Sequence, residues 1–191
     1  MKLIILTAPS GAGKTSITRH LMQTFPGQLA FSISAATRAP RGTEKDGVEY
    51  YFLTEAAFRE KINEDAFVEW EMVYEGKYYG TLRSELQRIR DEGKVPVLDI
   101  DVKGAVHVQK QFPGQVLSLF IQPPSIEELR RRLLSRGTET EESLHARLSK
   151  AEFELSFRDQ FTHVVVNDQL NKACAEAESI VRAYLSDETH L

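Results

Sequence analysis

A single cysteine, Cys174, stands in the 191 residues. No intrachain disulfide can form, which fits a reducing compartment. Cys174 lies in a helical pattern and is expected to serve packing rather than chemistry. No apolar run approaches the roughly 20 residues that cross a bilayer. The chain starts directly on a strand pattern, so neither a transmembrane helix nor a signal peptide is expected, and the expected location is cytoplasmic. An excess of positive charge is also missing. Lys and Arg number 24 against 28 Asp and Glu, for a net charge of −4, which argues against nucleic-acid binding through global charge. Internal repeats and low-complexity tracts are absent. The length suits one globular unit with a sizeable core, with room for inserted lobes.

The richest signal is at the start: Leu3-Ile4-Ile5-Leu6-Thr7-Ala8-Pro9-Ser10-Gly11-Ala12-Gly13-Lys14-Thr15. A short apolar run reads as a buried strand, breaks into a Gly-rich turn and opens a helical pattern. That is the layout of a phosphate-binding loop. Backbone N–H groups at a helix N-terminus form a concave anion site, and Gly11 and Gly13 let the main chain curl. Lys14 would reach the β- and γ-phosphates, and the Thr15 hydroxyl would ligate Mg²⁺. Ala8 stands where the strict pattern has its first glycine, but the amides nearest the phosphates lie later, from about Ser10 to Thr15. The plain alternative is a strand–turn–helix with a lone lysine.

Strand-like runs recur at 29–33, 95–101, 116–121 and 164–166. Helical patterns lie at about 15–25, 82–92, 102–112 and 170–185. Continuous apolar strands alternating with helices predict an α/β doubly wound core with a parallel sheet. Ligands then bind beyond the carboxyl ends of the strands. Two segments break the alternation. Residues 34–81 read as an inserted lobe, with strand-like pieces at 49–53 and 67–74 around a helix at 55–63. The second segment, at about 125–157, reads as two helices, the first with a capping-box start at Ser125, a stop at Gly137 and the next cap at Thr140.

Several side chains in these segments suit chemistry. Asp99 and Asp101, two apart at the end of a strand, would share one face and suit Mg²⁺, or cap the next turn. Arg38 and Arg41 flank Pro40 as two guanidinium forks suited to a phosphate, with Tyr50 and Tyr79 as hydroxyl donors; the alternative is solvated arginines and packed tyrosines. Glu69, among apolar residues, asks for a partner. It can accept two N–H groups from a guanine edge, whereas adenine presents an acceptor at N1; a surface salt bridge is the alternative. Arg132 and Arg136 share a helical face and Arg147 follows on the next helix, either as a closing cluster over a triphosphate or as a solvated face beside Glu139, Glu141 and Glu142.

These motifs together resemble the guanylate kinases. The resemblance spans residues 3–185 and rests on the phosphate loop 8–15 and then, in order, on Ser34 with Thr37-Arg38-Ala39-Pro40-Arg41, Asp46-Gly47-Val48-Glu49-Tyr50, Phe67-Val68-Glu69-Trp70, Tyr78-Tyr79-Gly80-Thr81, Leu98-Asp99-Ile100-Asp101, residues 136–143 and Val166-Asn167-Asp168. It implies a P-loop NTPase fold, with a core at 1–33, 82–124 and 158–191, a GMP-binding lobe at 34–81 and a helical lid at 125–157. It implies transfer of the γ-phosphoryl group of Mg²⁺-bound ATP to GMP, and to dGMP, in purine nucleotide metabolism, with no nucleic-acid or membrane partner. Arg38, Arg41, Tyr50 and Tyr79 would hold the GMP phosphate. Ser34, Glu69, Thr81 and Asp101 would read guanine. Lys14, Arg38, Arg132, Arg136 and Arg147 would be catalytic. Residues Ala8, Pro9, Ser10, Gly11, Ala12, Gly13, Lys14 and Thr15 would bind ATP, with Asn167 near adenine, and Thr15 and Asp99 would serve the metal. Ala at position 8 is familiar among bacterial members. Two departures stand out: Ala36 where the family shows Thr, expected to cost a local hydrogen bond, and Thr43 where it shows Gly, expected to alter the loop.

Overall fold

The computed structural model describes residues 2–135, 137 and 140–187. In chain order the elements are β1 (Leu3–Thr7), α1 (Lys14–Thr24), β2 (Leu29–Phe31), β3 (Ala35–Ala36), β4 (Tyr51–Phe52), α2 (Glu55–Asn63), β5 (Phe67–Tyr74), β6 (Lys77–Leu82), α3 (Arg83–Asp91), β7 (Val95–Asp99), α4 (Val102–Gln111), β8 (Val116–Gln122), α5 (Ile126–Leu134), α6 (Glu141–Leu155), β9 (His163–Val166) and α7 (Leu170–Ser186). The chain divides into two compact units, residues 1–26 with 99–191, and residues 27–98. Among the described residues no helix is long and apolar enough to cross a membrane.

In the first unit, β1 pairs in parallel with β8, and β8 with β9. Every residue of β1 is buried, as its unbroken apolar run requires of a parallel strand covered on both faces. α1 and α7 lie side by side, with His20 Nε2 3.0 Å from Glu178 Oε2 and the Arg182 guanidinium 5.0 Å from the centre of the Phe25 ring. Cys174 is buried on α7, and burial pushes its thiol up. α5 and α6 share an apolar seam of Leu129, Leu133, Leu144 and Ala151, with Leu148 against it.

Ser125 caps α5 by accepting from Glu128 N at 3.0 Å. The Glu128 carboxylate turns to Arg131 and Arg132. The complete reciprocal box forms instead at α6, between Thr140 and Ser143.

In the second unit, β2 pairs in parallel with β7. β5 and β6 form an antiparallel hairpin, and β3 joins β6 antiparallel and β4 parallel. Phe58 of α2 stacks on Phe67 at 4.3 Å and on Tyr78 at 5.3 Å, and Ala35 and Leu82 complete this core. β6 is a strand that apolar alternation alone does not announce, because Gly80 interrupts it. Glycine is needed there: a Cβ would lie 2.8 Å from the Glu69 carbonyl and 2.9 Å from Trp70 Cβ on the partner strand. The expected strand at 49–53 contracts to β4.

One buried carboxylate ties this unit together. Glu85 accepts from Ile33 N at 3.0 Å, from the Tyr51 hydroxyl at 2.8 Å and from both Nε and Nη2 of Arg88.

Candidate active site

In the first unit the chain leaves β1 at Thr7 and turns through residues 8–13 into α1. Gly11 and Gly13 take φ of +93° and +99°, so the turn uses the left-handed region that favours glycine. Ala12 N donates back to Pro9 O at 3.0 Å. Gly13 has a second constraint, because its missing Cβ would collide with the side-chain amide of Asn167. Ser16 N and Ile17 N donate to Gly13 O at 3.1 and 3.3 Å, and the N–H groups at the start of α1 form the positive end of its dipole. Ala8 does not disturb this arrangement, since both positive-φ positions lie downstream of it.

Lys14, first residue of α1, places its ammonium against Asp99 Oδ1 at the end of β7. Burial lowers the Lys14 pKa to about 8, although Glu154 and Asp101 pull it up and Lys150 pushes it down further. The side chain keeps 22% exposure, and its contact with the Asp99 carboxylate works against loss of the proton. The Thr15 residue is exposed at the same helix start.

The shared face expected for Asp99 and Asp101 needs correction. β7 ends at Asp99, and Asp101 lies beyond the strand, where it caps α4 by accepting from Gly104 N at 2.7 Å. Two residues apart means one face only while the chain stays extended.

Asn167 and Arg147 bond the loop directly, and Arg132 is joined to it through Asn167. Asn167 is buried, and its side-chain amide donates to Ala12 O at 2.8 Å. Arg132 donates from Nη2 to Asn167 O at 2.9 Å and from Nε to Glu128 at 2.8 Å. Arg147 on α6 donates from Nη1 to the Ser10 hydroxyl at 2.9 Å. Arg136 lies outside the described residues.

Glu154, on the same helix as Arg147, went unremarked in the sequence although its signal was present. It follows Leu144, Leu148 and Ala151 at helical spacing and is buried like Leu144 and Ala151, with Leu148 half-buried. Burial raises its pKa; Lys150, 3.8 Å away, and Lys14 oppose that, while Asp101 adds to it.

The second unit holds Ser34, Arg38, Arg41, Tyr50, Glu69, Tyr79 and Thr81. Arg38 Nη1 and Nη2 bind the two carboxylate oxygens of Glu44 at 2.6 and 2.8 Å. The Arg38 guanidinium lies 4.8 Å from the centre of the Tyr50 ring, which in turn meets Tyr79 edge-on at 6.0 Å. The Tyr79 hydroxyl also interacts with Arg38. Arg41 is exposed, and its N–H donates to Glu44 at 2.8 Å. Glu44 was not singled out from the sequence; a lone acid three residues after the second of two arginines spaced by three was its only mark.

Glu69 of β5 stands opposite Thr81 of β6, and the Thr81 hydroxyl donates to its Oε1 at 2.6 Å. Both residues are buried, so Glu69 is not a surface salt bridge. Ser34 is half-buried, and its carbonyl accepts from Tyr51 N at 2.9 Å.

Ala36 keeps its strand bonds within β3, its carbonyl accepting from Leu53 N at 2.9 Å. Thr43 needs no glycine: among the described residues Asp65 alone of the non-glycines takes positive φ, and Gly42 makes the turn at +55°.

Comparison with known proteins points one way. A family model described as guanylate kinase matches residues 1–184. The curated guanylate kinase of Bacteroides thetaiotaomicron is 48% identical over 187 residues, covering 98% of this chain and 91% of that protein. That of Thermotoga maritima is 43% identical over 182 residues, covering 95% and 86%. Among solved structures, the guanylate kinase of Anaplasma phagocytophilum superposes with a TM-score of 0.74 at 30% identity, covering 98% of this chain and 87% of that one.

Proposed function

The chain belongs to the guanylate kinase family, has its P-loop NTPase fold and phosphorylates GMP at the expense of ATP; we propose that the residues described above divide that reaction between a donor set and an acceptor set. The donor set is the loop 8–15 with Lys14, Arg132, Arg136 and Arg147, and Asn167 toward the adenine. The acceptor set is Arg38, Arg41, Tyr50 and Tyr79 for the GMP phosphate, and Ser34, Glu69, Thr81 and Asp101 for guanine. Residues 34–81 serve as the GMP-binding lobe and 125–157 as a lid, on a core of 1–33, 82–124 and 158–191. The same acceptor set serves dGMP.

The chemistry asks mainly for position and charge neutralisation. The attacking group is a phosphate oxygen of GMP, already anionic at neutral pH, so no general base is required. It displaces ADP from the γ-phosphorus and leaves GDP. Loop amides and Lys14 stabilise charge on the β- and γ-phosphates, and the arginines of α5 and α6 neutralise charge that spreads during transfer. The bond from Arg147 to Ser10 of the loop supports that role. Closure of the α5–α6 segment would exclude water and suppress hydrolysis of ATP.

An ATP-using kinase implies a divalent cation, and we assign Mg²⁺. Mg²⁺ in nucleotide sites keeps waters and substrate phosphates and takes one or two protein oxygens. Thr15, at the start of α1, would offer a hydroxyl, and Asp99, at the end of β7 beside Lys14, a carboxylate. When bound, the ion supplies Lewis-acid neutralisation of the phosphate oxygens.

The observation that carries the acceptor assignment is the buried Glu69–Thr81 pair. A buried carboxylate facing a base favours one with two adjacent N–H groups and penalises one with an acceptor. ADP formation measured with GMP, AMP, UMP and a sugar phosphate in parallel tests it. Rapid turnover with GMP alone is expected; comparable turnover with AMP contradicts the reading.

A further inference from the structure

We propose that Lys150 is a further cation of the donor set: it exchanges the Glu154 carboxylate for the γ-phosphate of ATP. This rests on the reading that residues 8–15 and Lys14 hold the phosphates of ATP.

Arg147, Lys150 and Glu154 follow one another on α6 at steps of three and four, which puts them on one face of the helix. Both ends of that stripe meet the start of the nucleotide loop and helix. Arg147 Nη1 donates to the Ser10 hydroxyl at 2.9 Å. Glu154 is buried, and its charge acts on the Lys14 ammonium. Seven residues of α-helix rise about 10 Å, and Lys150 stands between the two ends. Its Nζ lies 3.8 Å from Glu154 Oε1, and it too acts on Lys14, as a like charge. The stripe thus runs along residues 10–14, with Lys150 on the Lys14 side of Arg147.

Two ammonium groups within reach of each other repel. Within the protein, carboxylates offset this: Asp99, Asp101 and Glu154 act on Lys14, and Glu154 on Lys150. A triphosphate in the loop offers both lysines a stronger partner. Lys14 is the residue that reaches the β- and γ-phosphates, so a cation beside it meets the same end of ATP.

The Lys150 side chain is free to make this exchange. Its contact with Glu154 is longer than a hydrogen bond, and the side chain is 66% exposed. An ion pair with so exposed a member holds weakly. A lysine carries its charge on a flexible four-carbon stem with three donors, so Lys150 turns from carboxylate to phosphate while α6 keeps its seam of Leu129, Leu133, Leu144 and Ala151. The alternative is an ordinary solvated pair four residues apart, which would leave nucleotide binding untouched.

The test is equilibrium titration of the full chain, with Mg²⁺, by the β,γ-imido analogue of ATP and by ADP, which lacks the γ-phosphate. Wild type is compared with Lys150→Gln, Lys150→Ala, Lys150→Arg and Lys14→Met, with thermal melts to confirm folding. Either neutral variant at Lys150 serves if the other fails to fold. Both are expected to weaken the analogue about tenfold and to leave ADP within about twofold of wild type. Lys150→Arg is expected to recover most of that loss, because it keeps the charge. An unchanged Kd for the analogue in a folded neutral variant overturns the proposal, and so does an equal loss for the analogue and ADP. A loss in Lys150→Arg as large as in Lys150→Gln would place the effect in packing rather than charge and overturns it as well. If Lys14→Met weakens the analogue while the Lys150 variants do not, the role of Lys150 alone fails. If Lys14→Met leaves it unchanged, the reading of the phosphate loop fails and the proposal with it.

Discussion

The side-chain amide of Asn167 donates to the carbonyl of Ala12 at 2.8 Å, from the space that a Cβ on Gly13 would fill. The phosphate loop is therefore braced from the end of β9, and Arg132 extends the brace from α5 through the Asn167 carbonyl. Asn167→Ala leaves a buried carbonyl without its donor. It is expected to lower stability by about 1–3 kcal/mol and to raise KM for ATP more than KM for GMP. Chemical denaturation and initial rates check this; an unaltered KM for ATP would show that the loop holds its form without the brace. Gly13→Ala is expected to be worse, because it adds backbone strain to the collision.

Lys14 and Arg147 are expected to act on the chemical step. Lys14→Ala or Arg147→Ala should slow phosphoryl transfer on the order of 10³-fold, about 4 kcal/mol of barrier. Single-turnover rates at saturating ATP and GMP separate this from binding. Near wild-type turnover in either variant would remove that residue from the mechanism.

Glu85 gives a pH signature in the fold of the second unit. Burial works against its charge, but Arg88, Ile33 N and the Tyr51 hydroxyl outweigh it, and its pKa is lowered. A carboxylate with a depressed folded pKa stabilises fully above its unfolded pKa, about 4.5. That contribution fades as pH falls through the folded value. The stability difference between wild type and Glu85→Gln, read from urea midpoints, should be about 2–4 kcal/mol near pH 7 and should shrink below about pH 4.5. A difference that does not change between pH 7 and pH 3 would mean that the carboxylate is not charged in its bonded state. Because Ile33 precedes Ser34, the same variant is expected to raise KM for GMP.

The α/β alternation and the phosphate loop were legible in the sequence because both are local. A buried parallel strand must be continuously apolar, as β1 is, and a loop that curls around phosphates must place glycines at fixed offsets. Partnerships between distant residues were less legible. Glu85 looks like an ordinary exposed helix charge until the fold brings Ile33 and Tyr51 to it. Asp101 shares a face with Asp99 only if the strand runs to 101; β7 ends at Asp99, and Asp101 takes the capping bond from Gly104 N instead. β6 was hidden by Gly80, whose reason is the approach of Glu69 and Trp70 on the next strand. Glu69 was recognised as needing a partner, but Thr81 emerged as that partner only through the β5–β6 register.

Thr81→Val should show the same weakness from the other side. It removes the hydroxyl that orients the Glu69 carboxylate and is expected to reduce kcat/KM for GMP about tenfold, since a hydrogen bond to a charged group is worth about 1.5–3 kcal/mol. Unchanged kcat/KM in a folded variant would mean that Glu69 is oriented without it.

The most direct measurement is the ratio of kcat/KM for GMP to that for AMP, in wild type and in folded Glu69→Ala. A carboxylate that reads two N–H groups predicts a large ratio in wild type that falls by about 10²-fold or more in the variant. A ratio that survives the loss of Glu69 intact would contradict the assignment of guanine reading to this buried pair.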